Sequence, residues 1–166
     1  MGRRKLSAST SDVTIEPRKV EFDLSRTPLE WLPGQPFASQ LINAAHLFVP
    51  EGEFTFCRLF NQALPYVTDD KLRQDIKAFI RQEAMHARSH ENAVSNYLQR
   101  HGIETAVYTQ RMQWLFGEGP LGDKPFGIHL PKRLDCQWLL FRIGMIAALE
   151  HTTCVFGNYL LNHTDH

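Results

Sequence analysis

From Asp69 to Arg100 the chain runs for about nine helical turns without proline or glycine, and its apolar residues recur at helical spacing. Thr68-Asp69-Asp70 offers an N-cap and an acidic first turn, and Gly102 stands just past the far end. Rotated by ~100° per residue, Leu72, Ile76, Phe79, Val94 and Tyr97 fall on one stripe, the face that must be buried. Glu83, His86 and His90 fall on the same stripe. Lys71, Lys77, Arg81, Arg88 and Arg100 fall elsewhere. The pattern therefore turns the basic residues to water and points one carboxylate and two imidazoles inward.

The rest of the chain is read in the same way. Residues 1–16, rich in Ser, Thr, Arg and Lys, read as a flexible tail, and 17–166 as one helical domain. Val20 to Phe37 carries Pro28, Pro33, Gly34 and Pro36 and is expected to be extended or looped. Ser39 to Phe48 predicts a short helix ended by Pro50, and Glu53 to Leu64 a second one stopped by Pro65. Glu104 to Phe116 predicts another helix, and the Gly- and Pro-rich stretch Gly117 to Leu130 a loop. Pro131 to Leu161 predicts a second long helix with proline at its first turn. That helix is apolar on nearly all sides, so it is expected to be central and largely buried. No β-alternation longer than a few residues interrupts the pattern, and the fold class is all-α.

Composition and charge narrow the function classes. Basic and acidic residues balance at 18 each, and the sequence pI is near 7.1. Neutrality argues against broad attraction to nucleic acid or to an anionic membrane surface. Cys57, Cys136 and Cys154 are odd in number and widely spaced, which fits a reducing compartment better than a disulfide framework. The basic N-terminus has no apolar core of the kind a secretory signal needs. Arg142 and Glu150 interrupt the most apolar stretch and disfavour a membrane span. A cytoplasmic protein is expected.

The inward-facing groups carry the chemistry. An unpaired, ionised carboxylate is costly to bury, so Glu83 must be protonated, paired or bound to a cation. Glu83-Ala84-Met85-His86 has Glu-x-x-His spacing, the ligand unit of dinuclear carboxylate sites in four-helix bundles. His90, one turn further, is a candidate third ligand or a partner of the first histidine. The order of residues is not that of a His-Glu-x-x-His zinc protease.

Two more carboxylates extend the pattern. Glu150 lies in the second long helix on a face with Ile146, Ala147, Thr153, Cys154 and Gly157, mostly small side chains that leave room for a neighbouring helix or a metal cluster. A structural ion pair with Arg142 or Arg58 is its alternative role. His151 projects about 100° away from it, and Cys154 suits a core position better than a hard-metal site. Glu53 is preferred over Glu51 because it lies within a helix whose backbone can aim it, although either could serve the helix dipole. Glu53, then Glu83-x-x-His86, then Glu150 makes an ordered set along the main helices. A second Glu-x-x-His is missing, since Thr153 stands three residues after Glu150.

At these residues the chain resembles the bacterial family named predicted metal-dependent hydrolases. The resemblance runs through Arg18-Lys19-Val20-Glu21-Phe22-Asp23-Leu24-Ser25, Trp31-Leu32-Pro33-Gly34, Leu41-Ile42-Asn43-Ala44, Phe48-Val49-Pro50-Glu51-Gly52-Glu53, Phe79-Ile80-Arg81-Gln82-Glu83-Ala84-Met85-His86 and Ala148-Leu149-Glu150-His151-Thr152-Thr153. That family in turn resembles ferritin-like dinuclear metal proteins, including the di-iron arylamine N-oxygenases. The resemblance implies a ferritin-like bundle and matches Glu53, Glu83, His86 and Glu150 to metal-ligand positions, whereas His90 has no clean counterpart. Family members are usually longer, and their next helix carries a Trp-x-x-His followed by Glu and Glu-His. The chain thus resembles the first part of such a protein, an incomplete bundle without the fourth ligand helix.

The leading expectation is a metal-dependent hydrolase with a dinuclear carboxylate and histidine site. Ligands rich in carboxylate favour iron or manganese over zinc as the divalent transition metal. A di-iron oxygenase-type oxidoreductase is the first alternative. A non-catalytic helical fragment or interaction module, with Glu83, His86 and Glu150 in a polar network with Arg58 or Arg142, is the second. One metal held by His86, His90 and a carboxylate is a third arrangement. The partner expected is a small-molecule substrate, with aromatic content that permits a hydrophobic one, and the apolar face left by an absent helix would favour a homo-oligomer.

Overall fold

The computed structural model describes residues 16, 21 and 23–163, so nearly all of the expected tail lies outside the described residues. Four α-helices carry the fold among them: α1 (Pro36–Ala63), α2 (Asp70–Arg100), α3 (Ala106–Gly117) and α4 (Lys132–His163). Short 3-10 turns follow α1 at Leu64–Tyr66 and precede α4 at Pro125–Gly127. No strand occurs among the described residues, and the all-α expectation holds.

The two short helices expected before Pro65 are one. α1 continues through Pro50, which sits inside it. An internal proline removes one backbone donor and crowds the carbonyl four residues earlier, at a cost of about 3 kcal/mol. α1 offsets that cost because it is the helix against which α2, α3 and α4 all pack. The eight positions from His46 to Glu53 consequently belong to one continuous cylinder, which matters for the site below.

α2 follows its sequence signals closely. The Asp69 side chain accepts a hydrogen bond from the Leu72 backbone N–H at 2.7 Å, capping the first turn. At the other end Gly102, at φ +74°, lets the Ile103 N–H reach the Leu98 carbonyl and its own N–H reach that of Gln99. This is the Schellman arrangement, and Ile103 packs against the buried Val94, Tyr97 and Leu98. The expected apolar stripe is buried at Val94 and Tyr97 and half-buried at Ile76 and Phe79, whereas Leu72, in the first turn, is exposed. The five basic residues assigned to water are all exposed.

The segment before α1 is strapped onto this end of the bundle. Tyr97 donates to the Pro28 carbonyl at 2.9 Å, and Trp31 donates from its indole to Asn43 Oδ1 at 3.2 Å. Leu24 and Trp31 thereby join the Val94 cluster. A second cluster, Phe56, Leu59 and Ile146, joins α1 to α4.

α4 corrects the expectation of a central, buried helix. Its main packing is against α1, and of its described side chains only Arg142 and Ile146 are buried. Leu140, Phe141, Val155, Phe156 and Tyr159 are exposed. An all-round apolar pattern measures how much surface a helix offers, and among the described residues no second element covers the outer side. By length and composition, Lys132–Tyr159 of α4 would be enough to cross a bilayer. The loop before α4 folds back so tightly that a Cβ on Gly122 would collide with the Gly117 carbonyl. This places Asp123 2.8 Å from Arg142 Nη1.

Candidate metal centre

α1 and α2 bring three ligand-type side chains together where they face one another. Glu53 comes from α1, while Glu83 and His86 stand on the same side of α2, three residues apart. His86 Nδ1 lies 2.7 Å from Glu53 Oε1 and 3.9 Å from Glu83 Oε2. One donor atom from each of the three falls within 4.8 Å of the others. Both glutamates are 5% exposed, and the His86 side chain is about half-exposed at 48%. The pocket of charge therefore has a buried carboxylate floor and an imidazole at its edge.

Glu53 Oε2 is buried and has no hydrogen-bond partner. A buried carboxylate oxygen left alone is costly, and a cation beside it is the arrangement that removes the cost. Two carboxylates and an imidazole are also a suitable donor set for a divalent transition metal. The residues present fit the group that the sequence implied.

Electrostatics shows what the cluster does with its protons. The hydrogen bond that His86 donates to Glu53, reinforced by Glu83, pulls the His86 pKa up to about 10 against the opposing effect of burial. Burial raises the Glu53 pKa, the charge of Glu83 adds to that, and the hydrogen bond with His86 counteracts both. His86 is thus an imidazolium that occupies a cation's place between two carboxylates. A metal ion there requires the His86 proton to leave.

His90 stands behind this cluster. Its Nε2 is 2.9 Å from His86 Nε2, so it meets the side of the ring opposite to Glu53. Burial first, then the charges of His86 and His46, hold its pKa down to about 4, leaving it a neutral acceptor. His90 is not in the three-residue group, and the arrangement with both imidazoles on one metal is not the one the side chains adopt. Instead His86 can offer Nδ1 to a metal while its Nε2–H donates to His90, the outer hydrogen bond that fixes a ligating ring.

Glu150 on α4 is half-buried and close enough for Glu53 and Glu83 to affect it. Burial raises its pKa, and the charges of those two carboxylates raise it further. It stands outside the tight group. Glu51 turns away toward α3, where its Oε1 accepts from Gln113 Nε2 at 2.9 Å. Arg142 pairs with Asp123, and Arg58 donates to Thr55 Oγ1 at 2.8 Å, so the expected alternative of a network between these arginines and Glu83 or Glu150 does not form. His151 and Cys154 are exposed.

Two neighbours were absent from the sequence reading. His46 on α1 lies against His90 at 5.0 Å between ring centroids with the rings tilted by 60°, and burial lowers its pKa, with the charge of His86 adding to the effect. Cys57, one turn after Glu53, donates to the Ile80 carbonyl at 3.4 Å. Burial, then the charges of Glu83 and Glu53, push its thiol up to about 11, so it stays protonated.

Over residues 16–166 the chain matches the model of a family described as predicted metal-dependent hydrolase. The chain belongs to that family. No curated protein and no solved structure matches it. Membership agrees with the Glu53, Glu83 and His86 cluster: this chain carries, on the facing sides of α1 and α2, a set of side chains compatible with a metal.

Proposed function

We propose that this chain is a metal-dependent hydrolase in which Glu53, Glu83 and His86 hold a divalent metal, with Glu150 as a further carboxylate ligand. The observation that carries the reading is the convergence of three donors from two helices around an unpartnered, buried Glu53 Oε2. In that role the metal supplies Lewis acidity, lowering the pKa of a bound water and polarising the substrate.

The chain's own residues prepare that chemistry. Glu53 and Glu83 supply negative charge from rigid helix positions, and His90 accepts from His86 and steadies its ring. Carboxylate-rich ligation favours iron or manganese over zinc. The ferritin-like relationship and a dinuclear centre belong to the same reading, in which Glu83 and Glu150 would each supply a carboxylate to the metals. Free thiols at Cys57, Cys136 and Cys154 agree with a reducing, cytoplasmic setting.

The same donor chemistry favours a second reading, a di-iron oxygenase-type oxidoreductase, because carboxylate ligands also suit iron that handles dioxygen. One experiment separates the two. Protein reconstituted anaerobically with iron, manganese or zinc is given ester, amide and phosphoester probes, with oxygen uptake followed in parallel. Metal-dependent hydrolysis that disappears in Glu83→Gln supports the hydrolase. Oxygen uptake with iron and no hydrolysis by any metal supports the oxidoreductase instead.

A further inference from the structure

A cavity of about 440 Å³ lies between α1, α3 and α4, away from the metal ligands. Its wall is apolar, built from Phe48, Phe56 and Leu59 of α1, Phe116 of α3, and Met145 and Leu149 of α4. That volume falls in the range of small-molecule pockets. One charged residue, Arg142, stands among the residues of this otherwise apolar wall.

Arg142 is 5% exposed, and it is only partly satisfied. Nη1 donates to Asp123 Oδ1 at 2.8 Å, and the guanidinium carbon sits 5.9 Å from the centre of the Trp138 ring. Nε and Nη2 are buried with no partner. These two nitrogens form one edge of the planar guanidinium, with their N–H groups parallel, the fork that donates to both oxygens of a carboxylate. A charged group with two buried, unpaired donors is costly to maintain. The cavity's hydroxyls do not relieve it. Thr55 Oγ1 donates to the Glu51 carbonyl and accepts from Arg58, and Thr152 Oγ1 donates to the Ala148 carbonyl.

We propose that this cavity binds a small monocarboxylate with an aliphatic or aromatic body, its carboxylate held by the free edge of Arg142 and its body lying against the phenylalanines of α1 and α3. Asp123 fixes the guanidinium from the other side and so aims the free edge. The site needs no metal and stands independently of the hydrolase reading.

The test is calorimetric titration of the full chain, stripped of metal with a chelator so that no carboxylate can bind through a metal ion. Octanoate and octanamide are the probes, matched in length and differing in charge. Octanoate is expected to saturate a single class of site and to bind at least tenfold more tightly than octanamide. Arg142→Met is expected to remove that difference, and Leu149→Trp, at a half-open position of the wall, to weaken both probes. The comparison of the two probes on the unaltered chain needs no variant to fold. Equal affinity for octanoate and octanamide, no saturable binding of octanoate, or octanoate binding that survives both substitutions would each overturn the proposal.

Discussion

His86 Nδ1 sits 2.7 Å from Glu53 Oε1, a contact that ties the middle of α2 to the middle of α1. Glu83 Oε2 lies 3.9 Å from the same Nδ1, so the imidazolium offsets the repulsion between two buried carboxylates. His86→Ala removes that counter-charge. In metal-free protein it is expected to lower stability by roughly 1–3 kcal/mol, between the values for exposed and buried pairs because the ring is half-exposed. Chemical denaturation in the presence of chelator measures this. Replacing Glu53 as well, in Glu53→Gln/His86→Ala, is expected to recover part of the loss.

The same contact sets a pH dependence for the metal-free fold. The folded-state pKa of His86 is raised to about 10, so its contribution is full below the unfolded value of ~6.5 and is lost as pH rises through 10. His90 has the opposite sign. Its folded pKa is held down to about 4, so its contribution is full above ~6.5 and is lost as pH falls through 4. Thermal melts with chelator are expected to peak near neutral to slightly acidic pH and to fall on both sides. In His86→Ala the alkaline fall is expected to flatten. An unchanged alkaline fall in that variant would place its origin elsewhere.

Metal and proton compete for His86. Because the ring must lose its proton to ligate, affinity for iron or manganese is expected to rise as pH increases from 7 toward 10, with proton release on binding. Titration in two buffers of different ionisation enthalpy counts the protons. No proton release at pH 7 would mean that His86 does not enter the coordination sphere.

His90 and His86 are expected to behave differently under substitution. His90→Ala removes a hydrogen-bond acceptor from a ligand, which typically costs about 10–100-fold in metal affinity. His86→Ala removes the ligand and is expected to abolish measurable binding. Equal losses in the two variants would favour the arrangement with both imidazoles on one metal.

How much of this was legible in the sequence depends on the element. α2 carried its own punctuation, with Asp69 at one end and Gly102 at the other, and its stripe placed Glu83 and His86 inward. Pro50 was misleading because a local rule about proline cannot weigh the three helices that pack on α1. Splitting α1 there also hid His46, since seven-residue spacing puts it on the face of Glu53 only when the helix is unbroken. α4 was misjudged for another reason. Its apolar residues surround it, so periodicity could not show which side meets α1. Arg142 was weighed as a partner for Glu150 because a pattern shows neighbours along one helix and not across a loop. Asp123, brought in by the tight turn at Gly122, is the partner it has.

The central claim is that Glu53, Glu83 and His86 hold a divalent metal, and metal content tests it most directly. Elemental analysis would follow anaerobic reconstitution with iron, manganese and zinc in turn, on the unaltered chain and on Glu83→Gln and His86→Ala. The account predicts about one equivalent or more of iron or manganese per folded chain, with loss of most of it in both variants. Folded protein that retains no metal, or variants that retain as much as the unaltered chain, would contradict it.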